Sequence, residues 1–206
     1  MNELFLVIAI TVLAVISPGP DFAMVTRNSY AYGRRSGLLT ALGIACGVQV
    51  HVCYTVFGVA LIITQSPLLF WMMKLLGAAY LIYLGIKSFT NQSVLIFSDA
   101  SASVPRAWKV FCSGFLTNAL NPKTMMFVVA AYSQVVEPGS SLTVNFAYGL
   151  FMSVIHWLWF SLVALFFSTE RLRRRLLEKQ RLLDKFIGIA LMGLAACLII
   201  PGVAQS

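Results

Sequence analysis

Six stretches of this chain, residues 3–26, 38–64, 67–88, 109–135, 142–168 and 183–203, are so continuously apolar that each predicts a helix able to cross a bilayer. Crossing the hydrocarbon takes about 20 apolar residues. With no water there to satisfy backbone groups, a spanning segment of this kind must be helical. The expected fold is therefore an all-α membrane protein of six transmembrane helices. A mean hydropathy of +0.85, with 59% apolar and 11% charged residues, excludes a soluble domain of 206 residues. In the first stretch uninterrupted apolarity runs only from Leu4 to Ile16, a length that also suits a re-entrant segment or a signal peptide. Its start, Met1-Asn2-Glu3, carries an acid rather than a base, and apolar sequence resumes at Phe22-Ala23-Met24-Val25, so a retained, broken helix is expected.

Two of these segments are interrupted in the same way. Ser17-Pro18-Gly19-Pro20-Asp21-Phe22 breaks the first, and Asn118-Ala119-Leu120-Asn121-Pro122-Lys123-Thr124 breaks the fourth. Proline removes an N–H donor and clashes with the preceding turn, so the first helix should stop near Ile16 and restart near Pro20. Pro20-Asp21 and Pro122-Lys123 thus form one motif written twice with opposite charge. An ionisable residue in a membrane is costly, and a broken helix frees backbone groups that need partners, so the pairing marks a place that handles a polar solute.

The net charge of +8 is a topology signal, not a nucleic-acid footprint. Arg27, Arg34 and Arg35 follow the first span, Lys87, Arg106 and Lys109 flank the link after the third, and Arg171, Arg173, Arg174, Arg175, Lys179, Arg181 and Lys185 follow the fifth. Only Lys74 and Lys123 lie away from the span ends, and Lys74 is near enough to one end to snorkel. Short basic loops stay cytoplasmic, which places both termini on the outer, periplasmic face of a bacterial inner membrane. The segment Glu170 to Lys185 mixes bases and leucines at helical spacing and reads as a positive-inside loop in contact with membrane lipid.

The most polar linker, Asn91 to Pro105, divides the chain into a first repeat at about 1–90 and a second at about 109–206, within one transmembrane domain. Three spans on each side make the second unit enter the membrane from the opposite face, an inverted repeat with a solute site near the midplane. The proline breaks are 102 residues apart, and His51 and His156 are 105 apart with related endings, Gly58-Val59-Ala60-Leu61 and Leu162-Val163-Ala164-Leu165. Gly43-Ile44-Ala45-Cys46-Gly47 presents small residues along one helical face, expected to pack inside the protomer.

At the first break, Asp21 lies in the first turn of the restarted helix, where the positive end of the dipole stabilises a carboxylate. It is suited to bind an ammonium, to accept a coupling proton, or to pair with Lys123. Lys123 is suited to hold a carboxylate or to be the counter-ion of Asp21. Ser17, Pro18, Gly19, Pro20, Asn118, Asn121 and Pro122 frame the two, with Thr117 as a further hydroxyl. Imidazole titrates in the neutral range when unperturbed, which makes His51, beside Gln49 and Tyr54, the stronger proton carrier, and His156 a weaker one. Cys46, Cys53, Cys112 and Cys197 show no ligand spacing and read as buried apolar thiols, so no disulfide, zinc site, metal or cofactor is expected.

Near these breaks the chain resembles the LysE/RhtB family of bacterial amino acid exporters. The resemblance rests on Ser17-Pro18-Gly19-Pro20-Asp21, Gly33-Arg34-Arg35-Ser36-Gly37 leading into Gly43 to Gly47, Leu76-Gly77-Ala78-Ala79-Tyr80-Leu81-Ile82-Tyr83-Leu84-Gly85, and Asn118 to Lys123. It covers nearly the whole chain, and the threonine and homoserine exporter branch is the most similar through its Pro-Gly-Pro-Asp-Phe string. The resemblance implies a non-enzymatic secondary transporter that exports amino acids, driven by protons and working by alternating access. Two other classes compete with it. A metal or cation exporter would want more than one acid inside the spans. A thiol oxidoreductase would want a cysteine in the first span. The small protomer points to a homodimer.

Overall fold

The computed structural model describes residues 3–90, 105–136, 140–169, 182, 185–193 and 195–196. Its elements are α1 (Glu3–Ile16), α2 (Pro20–Gln65), α3 (Pro67–Thr90), α4 (Ala107–Ala119), α5 (Pro122–Val135) and α6 (Leu142–Phe167). A last helical stretch follows at 185–193 and 195–196, and the described residues contain no strand. The linker from 91 to 104, most of the basic segment after α6, and Cys197 lie outside the described residues.

Both breaks fall where proline chemistry requires. α1 ends at Ile16 and α2 begins at Pro20; α4 ends at Ala119 and α5 begins at Pro122. In each case the proline takes the first helical position, where a missing N–H costs nothing.

α2 is not a single span. Its 46 residues would run about 69 Å if straight, more than twice the ~30 Å hydrocarbon core. Gly33 interrupts it with φ 80° and ψ 177°, a backbone conformation open to glycine alone. The chain doubles back at that residue. Asn28 Nδ2 donates to Thr40 Oγ1 at 2.9 Å, although twelve residues of straight helix would separate them by about 18 Å. The expected loop between residues 26 and 38 is therefore replaced by two helical limbs, 20–32 and 34–65, joined at one glycine.

The second limb of α2 is the centre of the molecule. Gly43 lies against the backbone carbonyl of Phe111, and Gly114 of α4 lies against the backbone of Thr40, so the two helices meet with no side chain between them. The glycine stripe is thus spent inside the protomer. On another face, Gln49 Nε2 donates to the Gly149 carbonyl at 3.0 Å and to Ser153 Oγ at 2.6 Å, tying α2 to α6.

The interior mixes an apolar core with many polar groups, and the exterior is apolar. Asp21, Asn28, Thr40, His51, Asn118, Asn121, Asn145 and His156 are buried, while Phe57, Leu68, Trp71, Leu76 and Leu150 point outward. Apolar surface outside and polar groups inside is the arrangement hydrocarbon favours. The cysteines correct the expectation of buried thiols: Cys46 and Cys53 are exposed on α2, and Cys112 is half-buried. A neutral thiol is as acceptable against lipid as in a core, so its apolarity did not fix its direction.

Candidate functional site

Each break supplies what the other lacks. Asp21, in the first turn of α2, is only 6% exposed and accepts three hydrogen bonds on one oxygen. Oδ2 receives Asn118 Nδ2 at 2.9 Å, Asn121 Nδ2 at 3.0 Å and Thr124 Oγ1 at 3.3 Å, all from the α4–α5 break. Its second oxygen, Oδ1, is buried and has no hydrogen-bond partner among the described residues. Leaving such an oxygen bare is costly, and it is the kind of exception that calls for a functional account.

Lys123 reaches the other way. Its ammonium donates to the carbonyls of Ala14 (3.4 Å), Pro18 (3.3 Å) and Ser17. Those carbonyls belong to the end of α1, where the helix ladder no longer supplies donors and the dipole is negative. Gly19 lies alongside the Lys123 stem, where an added Cβ would stand 3.1 Å from Cδ. Asn121 caps α5 by accepting from the Lys123 backbone N–H at 3.0 Å, and Tyr80 of α3 donates its hydroxyl to the Lys123 carbonyl at 3.3 Å.

Behind the break, His51 holds α4 in place. Its Nε2 lies 2.8 Å from the Asn118 carbonyl and must be the donor there, which leaves Nδ1 to accept from Tyr54 Oη at 2.6 Å. Asn118 is therefore gripped at both ends: its carbonyl by His51, its side-chain amide by Asp21.

A small cavity lies between the breaks, lined by Ser17, Gly19, Asp21, Asn121, Lys123 and Thr124 on its polar side. Phe22, Phe127 and Phe160 form much of its apolar wall, and His156 lines it beside them. It has room for about one water, far less than an amino acid needs.

All ten residues singled out in the sequence, Ser17, Pro18, Gly19, Pro20, Asp21, His51, Asn118, Asn121, Pro122 and Lys123, thus belong to the crossed breaks or to their immediate support. Thr117 does not join them, since its hydroxyl returns to the Ser113 carbonyl of its own helix at 2.7 Å. Thr124, Phe127 and Phe160 were missed as site residues. Thr124 was readable, because it sits one turn beyond Asn121 on α5; the two phenylalanines carry no mark among the chain's fifteen.

Residues 12–202 match the family described as LysE type translocator. The chain is 31% identical to the uncharacterized membrane protein YrhP of Bacillus subtilis over 94% of this chain and 96% of that protein. It is 30% identical to the threonine efflux protein of Escherichia coli K12, over 97% of this chain and 99% of that one. The same identity holds with the uncharacterized membrane protein YahN of E. coli K12, over 100% and 92%. No solved structure matches.

Proposed function

The chain belongs to the LysE type translocator family, a family of membrane transporters rather than enzymes, and on that premise we propose that it exports amino acids from the cytoplasm. Threonine, homoserine or a similar neutral amino acid is the favoured cargo, supported by the efflux proteins it is similar to. The observation that carries the reading is the bare Oδ1 of Asp21 in the cavity between the breaks. A substrate ammonium supplies the hydrogen bond and the positive charge that this oxygen lacks. The substrate carboxylate goes to Lys123, displacing the carbonyls of Ser17 and Pro18 and so loosening α1 as it binds.

In this scheme the cavity between the breaks widens to admit cargo. Six spans in two inverted three-helix units, residues about 1–90 and about 109–206, rock around the crossed breaks and open the cavity to each side in turn. The basic clusters keep their loops in the cytoplasm of a bacterial inner membrane, with both termini outside. A proton returning inward drives export, and the working unit is a homodimer.

The test is counterflow. Liposomes preloaded with unlabelled threonine, homoserine, leucine, lysine or cysteine should take up the same labelled amino acid through the wild-type protein for one or two of these, and Asp21→Asn should reduce that uptake to background. Absence of counterflow for all five, from folded protein, would overturn the export of amino acids.

A further inference from the structure

The two histidines are at matching places in the chain but face different surroundings. His51 has both ring nitrogens engaged, Nε2 by the Asn118 carbonyl and Nδ1 by the Tyr54 hydroxyl. Taking a proton would require Tyr54 to turn away. His156 of α6 has one engaged among the described residues: its Nδ1 lies 2.7 Å from the Met152 carbonyl of the previous turn. A carbonyl can only accept, so Nδ1 carries the hydrogen and Nε2 is left with a lone pair. The ring is 3% exposed, stands beside Phe127 and Phe160 with centroids 6.4 and 6.2 Å away, and lines the same cavity as Asp21.

From this geometry we infer that His156 is the residue that carries the coupling proton, and that it does so by competing with the substrate ammonium for Asp21. The inference rests on the export reading. A proton arriving from the outer side is taken up at Nε2. The ring then presents a second N–H, and positive charge, to the cavity that holds Asp21 Oδ1, directly or through the one water the cavity can hold. When the cavity opens inward, substrate ammonium takes that place and the proton leaves Nε2 for cytoplasmic water, restoring the neutral ring. One carboxylate oxygen thus serves proton and cargo alternately, which is the condition for exchange rather than co-transport. The charged and titratable groups around the ring are Asp21 and His51 on α2 and Lys123 on α5; α1 lines the cavity with Ala14, Val15 and Ser17, none of which titrates.

The test separates exchange from drive. In His156→Gln, which also changes the cavity lining, accumulation driven by a pH gradient should be lost while counterflow, which needs no net proton movement, falls less and stays measurable with a flattened dependence on pH. Retention of gradient-driven accumulation by the variant would overturn the inference, and so would loss of counterflow in a folded variant, since His156 would then be packing or cargo-binding. Counterflow by the wild type in these same liposomes keeps the export reading standing whichever result the variant gives. Should the variant fail to fold, deuterium exchange at the C2 position of each histidine in the wild-type protein decides. Exchange at His156 that follows a titration curve and slows with bound substrate supports the assignment; its absence overturns it.

Discussion

The two proline breaks begin from one pattern, a proline at the first position of a helix followed by a charged residue, and end with opposite electrostatics. Asp21 sits at the positive end of its own helix dipole, so its local surroundings favour its charge. Lys123 occupies the same position at the start of α5, where its own dipole opposes it, and it is stabilised instead by carbonyls at the end of α1. The first charge is at home and keeps one oxygen in reserve. The second is displaced and held by another helix. The difference teaches which residue is free to act. Asp21 can gain a partner without losing one, whereas Lys123 can do so only by releasing α1.

The strongest challenge to that contrast is to exchange the charges. Were the pair a simple ion pair, Asp21→Lys with Lys123→Asp would preserve it. The crossed geometry predicts failure, because a lysine at 21 would face the amide donors of Asn118 and Asn121 while an aspartate at 123 would face carbonyls. The mismatch at buried position 21 costs about 3–5 kcal/mol, and that at half-buried position 123 costs less. The double variant should therefore yield no monodisperse protein in size-exclusion chromatography, where each single variant yields some.

A gentler pair of changes separates the roles. Lys123→Met leaves the carbonyls of Ala14, Ser17 and Pro18 without their donor and should lower stability by about 3 kcal/mol. Asp21→Asn keeps an acceptor for Asn118 and Asn121 and should cost about 1 kcal/mol while abolishing transport. Thermal unfolding in detergent beside counterflow reads both. Equal destabilisation by the two changes would remove the asymmetry.

Gly33 sharpens the comparison from outside, since it turns the chain with no charge and no proline. Gly33→Ala should cost about 1–3 kcal/mol in melting experiments through backbone strain alone, with counterflow at permissive temperature unaltered. That effect isolates what a helix break costs when it is not furnished for a solute.

Much of this was legible in the residues. Proline fixed the helix ends at Ile16 and Pro20 to the residue, since a missing N–H and a steric clash act locally. That Asp21 and Lys123 would each need polar partners at the breaks followed from the cost of charge in hydrocarbon. What the sequence left open was direction: whether Lys123 meets Asp21 or the α1 carbonyls depends on how α1 and α5 are juxtaposed, which no local signal encodes. The same holds for His156. His51 has polar neighbours in Gln49 and Tyr54 and His156 has tryptophans, so the sequence favoured His51, yet Tyr54 and the Asn118 carbonyl occupy the His51 ring while His156 lines the cavity. The turn at Gly33 was hidden because a single glycine does the work expected of a loop.

The contact of α2 with α4 has a mechanical consequence. Between most helices, side chains act as bearings that can change rotamer and let one helix slide on the next. Where Gly43 meets the Phe111 carbonyl and Gly114 meets Thr40, backbone rests on backbone and nothing is left to rearrange. The second limb of α2 and α4 must then travel as one strut, carrying Asn118 with them. In the export scheme proposed above, any opening of the cavity then falls to the parts outside that strut, α1 held by the Lys123 ammonium and α5 beyond Pro122.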